Sequence, residues 1–273
     1  MAIGRFKRKI WDYYRTHRRE LPWRPPALKL RADGTLDPYS ILVSEVMLQQ
    51  TQVVRVREYY PRFLKRFPTA RALARAPLRA VLRAWQGLGY NRRALLLHHA
   101  VQKTVSRFPD TLEELKKLPG VGPATAAAVM AFAFNKPSIY LDTNVRAVYL
   151  HHFFMRRRKV HDGEIIPFIE KTLDRKNPRA WYYALLDYGA WLKTQIENPS
   201  RRSAHYVKQS RFDGSNRQLR GAIIRMLTQQ GKMTTKEIGQ ILRVPASKIR
   251  EIIRTLTQDG LVHATGTGVK MVQ

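Results

Sequence analysis

Apolar residues recur at helical spacing along most of the chain, whereas runs that alternate between apolar and polar residues are scarce. Residues three and four positions apart lie on one face of a helix, so this spacing predicts an all-α core. We predict a first helix at 3–19 and a polar loop at 28–37, and we expect Pro61 and Pro68 to interrupt the helical pattern that resumes at Tyr39. Further helices are predicted at 73–76, 78–86, 92–106, 112–117, 124–134, 145–154, 164–173 and 179–193.

The pattern changes after the predicted core, which we place at 1–194. The segment 195–216 is polar and basic and is expected to be a linker. After it the pattern predicts helices at 217–230, 234–242 and 246–258, and short strands at 260–264 and 268–272 around the turn 265–267. Three helices followed by a β-hairpin resemble a winged helix, so we expect 217–273 to form such a domain. Winged helices bind DNA in some proteins and protein in others, and three basic residues on the third helix favour DNA here: Lys248, Arg250 and Arg254.

The net charge of the chain indicates the class of its binding partner. The chain has 50 Lys and Arg against 20 Asp and Glu, a formal charge of +30, which predicts a polyanionic partner, most simply double-stranded DNA. No apolar run approaches the ~20 residues of a membrane span, and the first residues lack the apolar core of a signal peptide. We therefore expect an intracellular protein of the cytoplasm or nucleoid that binds no membrane and is a monomer.

The absence of cysteine restricts the cofactors. Disulfides, zinc fingers and iron–sulfur clusters all need thiolates, and the chain has no cysteine. We expect no cofactor other than the monovalent cation considered below.

One stretch combines a glycine-containing turn with a single acid. Leu118 to Gly122 reads LPGVG, and Pro123 then suits the first turn of a helix. Backbone N–H groups at such a helix start suit a phosphate of a nucleic-acid strand. About twenty residues later lies Asp142, the only acid between Glu114 and Asp162. These features predict either a DNA- or base-cleaving site or an ordinary helical hairpin in which Asp142 caps the next helix.

A second informative stretch is SEVMLQQT, from Ser44 to Thr51. As a helix it would place Glu45, Gln49 and Gln52 along one face. The alternatives are a surface helix with one solvated glutamate and a helix that presents an acid to a site.

Both stretches resemble one family. LPGVGPATAAAV followed by LDTNVRAV, together with SEVMLQQTQV, is similar to the helix-hairpin-helix (HhH-GPD) DNA glycosylases related to endonuclease III and MutY. The resemblance covers about 10–193 and implies a mainly α, two-lobed helical core. It implies that Asp142 is the catalytic aspartate and Glu45 the general acid. Because the four-cysteine cluster of many members is missing, the chain resembles a MutY-like adenine glycosylase without the iron–sulfur cluster.

The resemblance also implies roles for other residues. Gln50 and Tyr90 would fill the gap in the base stack, and the base pocket would include Trp23, Tyr183 and Asp187. The DNA backbone would be bound by Gly120, Val121, Gly122, Ala124, Thr125 and Arg93. A monovalent cation could be held by the carbonyls of Leu118 and Val121.

The expected reaction is excision of a mispaired or damaged base. A purine leaves once its ring is protonated, and a glutamic acid of raised pKa could supply that proton. Asp142 would stabilise the oxocarbenium-like sugar. Ala124 stands where bifunctional relatives have a Schiff-base lysine, so we expect a monofunctional glycosylase. Adenine opposite guanine or oxoguanine is the expected substrate, although Tyr183 replaces the glutamine that reads adenine in MutY. The alternatives are a thymine or uracil mismatch glycosylase of the same superfamily and a non-catalytic DNA-binding protein.

Overall fold

The computed structural model describes residues 1–209, 211–266 and 268–272. Within them the chain is mainly helical, which confirms the predicted fold class. Thr267 of the predicted turn and Ser210 of the predicted linker lie outside the described residues, as does Gln273. No helix of the described chain is both long and apolar enough to cross a membrane.

The helices are α1 (Ile3–His17), α2 (Pro38–Leu48), α3 (Val53–Arg66), α4 (Ala70–Arg75), α5 (Leu78–Trp85), α6 (Arg92–Gln102), α7 (Leu112–Lys116), α8 (Pro123–Phe132), α9 (Thr143–Phe153), α10 (Asp162–Thr172), α11 (Pro178–Gln195), α12 (Asn216–Gln230), α13 (Thr235–Leu242) and α14 (Ala246–Gln258). A 3₁₀ helix spans Pro199–Arg202, and three strands follow the order β1 (Lys232–Met233), β2 (Val262–Thr265) and β3 (Gly268–Met271).

The first of two compact units comprises 1–45, 109–117 and 121–208. Its core is rich in buried aromatic side chains, such as Phe6 against Tyr149 and Trp181, because α1 and α9 both pack on α11. Helices α9 and α11 come unusually close at Gly189, where an ideal Cβ would stand 2.5 Å from the carbonyl oxygen of Asn144. This close approach places the beginning of α9 directly beside α11.

The second unit comprises 46–108, 118–120 and 209–273. Helix α6 packs on α4 and α5, and Tyr60, Phe63 and Trp85 are buried among them. Toward its end the chain forms α12, β1, α13, α14 and a β2–β3 hairpin, which is the element order of a winged helix. The sheet is antiparallel in the order β1-β3-β2, and Met233 pairs with Val269. Strand β1 was not predicted, since two residues are too few to show a period.

Two predictions from the pattern are wrong. Pro61 does not break a helix but lies inside α3. A proline costs one helical hydrogen bond, and here its neighbours Tyr60 and Phe63 are buried on the packed face, which holds the helix together. Helix α2 ends at Leu48, so Gln49 and the residues after it do not share a helix face with Glu45.

The predicted linker is partly structured. It contains the 3₁₀ helix, and Ser203 forms an isolated parallel bridge with Val160. The boundaries 1–194, 195–216 and 217–273 stay a prediction, because the compact units divide the chain along other lines.

Candidate active site

Asp142 caps helix α9. Its Oδ1 accepts hydrogen bonds from the backbone N–H groups of Asn144 (2.8 Å) and Val145 (2.7 Å), and its Oδ2 accepts one from the Asn144 amide at 3.1 Å. The carboxylate therefore stands at the positive end of a helix dipole. The sequence left open whether Asp142 caps a helix, and the structure shows that it does. The cap fixes the orientation of the Asp142 carboxyl group.

Lys193 of α11 supports this cap from the side. Its Nζ donates to Oδ1 of Asn144 at 3.0 Å, so the lysine reaches Asp142 through the asparagine. Burial raises the pKa of Asp142, while the bonds from Val145 and Asn144 and the charge of Lys193 oppose that rise. Burial outweighs these contacts, so the pKa of Asp142 lies above its usual range.

Glu45 lies near the end of α2 in the same unit and is partly buried. No residue of the described chain donates a hydrogen bond to its carboxyl group. Burial, and next the negative charge of Asp142, raise the pKa of Glu45 to about 8, against a smaller opposing effect of Arg24. At neutral pH this carboxyl group therefore keeps its proton.

Burial raises the pKa of both acids, but their hydrogen-bonding surroundings differ. Asp142 has hydrogen-bond donors and a nearby cation, whereas Glu45 has neither a donor nor a salt bridge in the described structure. Pairs of titratable groups whose environments separate their pKa values are how enzymes place an acid beside a stabilising anion. The carboxyl group of Glu45 can donate a proton, and the carboxylate of Asp142 can stabilise a positive charge.

Tyr183 and Arg24 belong to the same cluster. The Tyr183 ring stacks on Phe132 with centroids 4.8 Å apart, and the Arg24 guanidinium carbon lies 4.3 Å from the Tyr183 ring centroid. Burial raises the pKa of Tyr183, and the charge of Glu45 adds to that rise. The Tyr183 hydroxyl is buried and has no hydrogen-bond partner among the residues that the structure describes, and the same is true of Nε of Arg24. Buried polar atoms without a partner are costly, so this cluster has unused hydrogen-bonding capacity.

Asp187 positions Arg24. Its carboxylate accepts from Nη1 of Arg24 at 2.9 Å, and also from the backbone N–H and Nε of Arg19 at 2.9 and 2.7 Å. The side chain of Asp187 is fully buried. Its contacts are those of a residue that holds the arginine. The sequence prediction had placed it in the base pocket together with Trp23, which is buried as well.

The hairpin has the turn that the motif predicted. Gly120 has φ of +74°, and an ideal Cβ there would lie 2.8 Å from Cβ of Leu96, so the position requires glycine. Gly122 is the N-cap of α8, Pro123 is the first helical residue, and the first turn contains no acid. Gly122 and Ala124 are exposed, whereas three other residues assigned to this region are buried: Leu118, Val121 and Thr125.

The predicted gap-filling residues Gln50 and Tyr90 lie in the second unit, in loops with left-handed backbone conformation (φ of +54° and +48°). Arg93 holds these loops. Its guanidinium donates to the carbonyls of Val46, Met47, Gln49, Leu88 and Gly89. Burial lowers the pKa of Arg93 to about 10. The guanidinium of Arg93 is thus used inside the protein, and its assignment to the DNA backbone stays a prediction.

Three site residues escaped the sequence analysis: Arg24, Asn144 and Lys193. Each acts through a partner far away in the sequence or through the helix cap, so a local motif carries no signal for it. The described residues contain no cluster of three or more histidines, aspartates or glutamates that could hold a metal ion. The proposed cation at the hairpin carbonyls stays a prediction.

Comparison with known proteins identifies the class of this fold and site. Residues 43–165 match the model of the HhH-GPD superfamily base excision DNA repair proteins. The chain is 32% identical over 289 aligned positions to an adenine DNA glycosylase of Mycolicibacterium smegmatis, covering 95% of this chain and 93% of that protein. It therefore belongs to the HhH-GPD superfamily.

Two further likenesses refine this placement. An adenine DNA glycosylase of Buchnera aphidicola subsp. Baizongia pistaciae is 35% identical over 186 residues, which are 65% of this chain but only half of that relative. The solved structure of a thermostable thymine-DNA glycosylase superposes with a TM-score of 0.59 at 26% identity, covering 69% of this chain and 86% of the other. These two curated relatives are named adenine DNA glycosylases, whereas this structural neighbour is named a thymine-DNA glycosylase.

Proposed function

We propose that the protein is a monofunctional DNA N-glycosylase that removes adenine opposite guanine or oxoguanine from double-stranded DNA. The observation that carries the proposal is the pair Glu45 and Asp142. Burial raises the pKa of Glu45 to about 8, and Asp142 accepts hydrogen bonds from two backbone N–H groups at the start of α9. The names of the curated relatives support adenine as the base.

In the proposed reaction Glu45 donates its proton to N7 of the extruded adenine. The bond between C1′ and N9 then breaks, and its electron pair goes to the protonated base, which leaves as a neutral molecule. The sugar becomes a positively charged oxocarbenium ion, which the Asp142 carboxylate stabilises. Water adds to C1′ and releases a proton, so the product is free adenine and an abasic site in an intact strand.

The strand stays intact because no amine replaces water. Ala124, the position of the lyase lysine in bifunctional relatives, has no side-chain nucleophile and lies exposed at the start of α8. We propose that the same helix start binds a DNA phosphate through its backbone N–H groups. The charge of +30 would add a strong, salt-dependent attraction to the duplex.

A second candidate is excision of thymine or uracil opposite guanine. Two observations favour it: the likeness to a thymine-DNA glycosylase, and a tyrosine at position 183, where MutY has its adenine-reading glutamine. Against it stands the protonated Glu45, since a pyrimidine has no N7 and uracil leaves as a fairly stable anion without an acid.

Single-turnover assays on matched duplexes test the proposal. The duplexes contain A:oxoguanine, A:G, T:G, U:G or hypoxanthine, and each is treated with alkali or left untreated to separate base loss from strand cleavage. We expect rapid loss of adenine, and strand breaks only after alkali. Cleavage of the pyrimidine mismatches alone would favour the second candidate. If no base is released from any duplex, while binding persists, the protein is a non-catalytic DNA-binding protein.

A further inference from the structure

The loops that carry Gln50 and Tyr90 have a strained backbone and share one cleft. Left-handed conformation is unfavourable for a residue other than glycine, and both residues adopt it. They line a single cleft of about 1270 Å³ that belongs entirely to the second unit. Gln50 is exposed and Tyr90 is half-buried, so both side chains are accessible there. An unfavourable backbone conformation at two accessible residues indicates that Gln50 and Tyr90 have a function.

The chain after residue 208 supplies the other wall of the cleft and holds Tyr90 directly. Nε2 of Gln209 donates to the Tyr90 hydroxyl at 2.6 Å, and Nη1 of Arg217 donates to the same oxygen. The Arg217 guanidinium carbon also lies 5.2 Å from the Tyr90 ring centroid, and that of Arg93 lies 5.4 Å from it. Three side chains therefore fix this ring, and two of them come from the C-terminal part of the chain.

Arg217 is placed by the docking of its whole helix. Arg79 and Arg83 of α5 donate to the carbonyl of Thr228 at 2.8 and 3.0 Å, and Gln86 donates to the Thr228 hydroxyl at 2.6 Å. These donors satisfy carbonyls at the end of α12 that have no partner within the helix, and their charge complements its dipole. Thr228 and Arg217 lie eleven residues apart on one rigid helix, about 16 Å at the helical rise. Anchoring one end of α12 therefore sets the position of the other end at Tyr90.

We propose that the C-terminal module, α12 to β3 with Gln209, is a working part of the surface that opens the duplex. Gln209 and Arg217 are positioning residues that hold the Tyr90 ring in the conformation needed to enter the base stack. The inference rests on the proposed function, because only an enzyme that extrudes a base needs such a wedge. A ring that is fixed in advance loses little conformational freedom on insertion, so more of its stacking energy offsets the cost of opening the pair.

Docking of the C-terminal module on the rest of the second unit does not require the contacts of Gln209 and Arg217 with Tyr90. Docking is already provided by the arginines of α5, and by Asp259, which pairs with Arg220 and with Arg92 at 3.4 Å. The alternative is that Gln209 and Arg217 hold Tyr90 in a position that blocks the cleft. Loss of these contacts would then raise the rate of excision.

The test compares a paired adenine with an unpaired one. The variants Tyr90→Phe, Gln209→Ala and Arg217→Met remove the acceptor or one donor. Lys171→Met removes an exposed cation from α10, outside the C-terminal module, and is the matched control. Each is assayed by single-turnover excision from an A:oxoguanine duplex and from a mismatched bubble that contains the same adenine. A 2-aminopurine beside the adenine reports opening of the duplex by fluorescence, and thermal unfolding checks the fold.

We expect Tyr90→Phe and Arg217→Met each to lower the duplex rate and the fluorescence change about tenfold, with no further loss in the double variant. Their rates on the bubble, and both rates of Lys171→Met, should match the unaltered protein. Equal losses on duplex and bubble, additive effects, unchanged rates or faster excision would each overturn the proposal. If the unaltered protein excises nothing, the proposed function fails, and the fluorescence change still decides whether Arg217 and Tyr90 open the duplex.

Discussion

The Glu45–Asp142 pair and the Tyr90 cleft are built in different ways. The two acids lie in segments whose sequences resemble a known family, and local structure accounts for one of them, since Asp142 is an N-cap. The Tyr90 ring is held by Gln209 and Arg217, more than a hundred residues further along the chain. The proposed catalytic acids can therefore be found from short motifs, whereas the proposed opening of the duplex depends on which distant segments pack together.

The largest effect on the excision rate is expected from substitution of Glu45 or Asp142. Asp142→Asn keeps a good N-cap residue but removes the carboxylate that, in the proposed reaction, stabilises the sugar cation. We expect the single-turnover rate of adenine excision to fall roughly 10²–10³-fold, with duplex affinity and unfolding temperature nearly unchanged. A variant that unfolds early would instead show that Asp142 serves mainly as a cap.

The second-largest effect is expected on the free energy of unfolding. It distinguishes a residue that positions another side chain, such as Asp187, from a residue that takes part in the reaction. Asp187→Asn leaves the buried Arg24 without its ion-pair partner, so we expect a loss of about 3–5 kcal/mol in unfolding free energy. The matched control is Asp12→Asn, whose exposed pair with Arg15 should contribute less than about 1 kcal/mol. Denaturant titration measures both, and equal losses would mean that the Arg24 network is no more than a surface pair.

The smallest effect is expected at Tyr183. Because its buried hydroxyl has no partner, Tyr183→Phe should leave stability unchanged or raise it by up to about 1 kcal/mol. Tyr182→Phe is the control, since that hydroxyl donates to Ser138 and accepts from Tyr140, and its loss should cost about 1 kcal/mol. If the Tyr183 hydroxyl bonds to the base, its removal should slow adenine excision several-fold. A loss of stability in Tyr183→Phe would contradict the unpartnered geometry.

Much of the fold followed from the sequence because helical spacing is a local signal. The prediction erred at Pro61, where burial of the neighbouring aromatic residues outweighs a missing hydrogen bond, and at Gln49, where Arg93 binds the carbonyls that follow α2. Glu45 and Asp142 could be proposed from motifs. Their pKa shifts could not, because burial raises both values, and because Lys193 and a cap that only the folded chain assembles oppose the rise at Asp142.

The most direct test of the account is the pH dependence of single-turnover adenine excision by the unaltered protein and by Glu45→Gln. Only the protonated form of Glu45 can donate, and its pKa is about 8. The rate should therefore be level around neutral pH and fall about tenfold per pH unit above that value. Glu45→Gln should be slower by roughly 10²–10⁴-fold and should lack this decline. A rate that stays level well above pH 8, or the same decline in Glu45→Gln, would contradict the assignment of Glu45 as the acid.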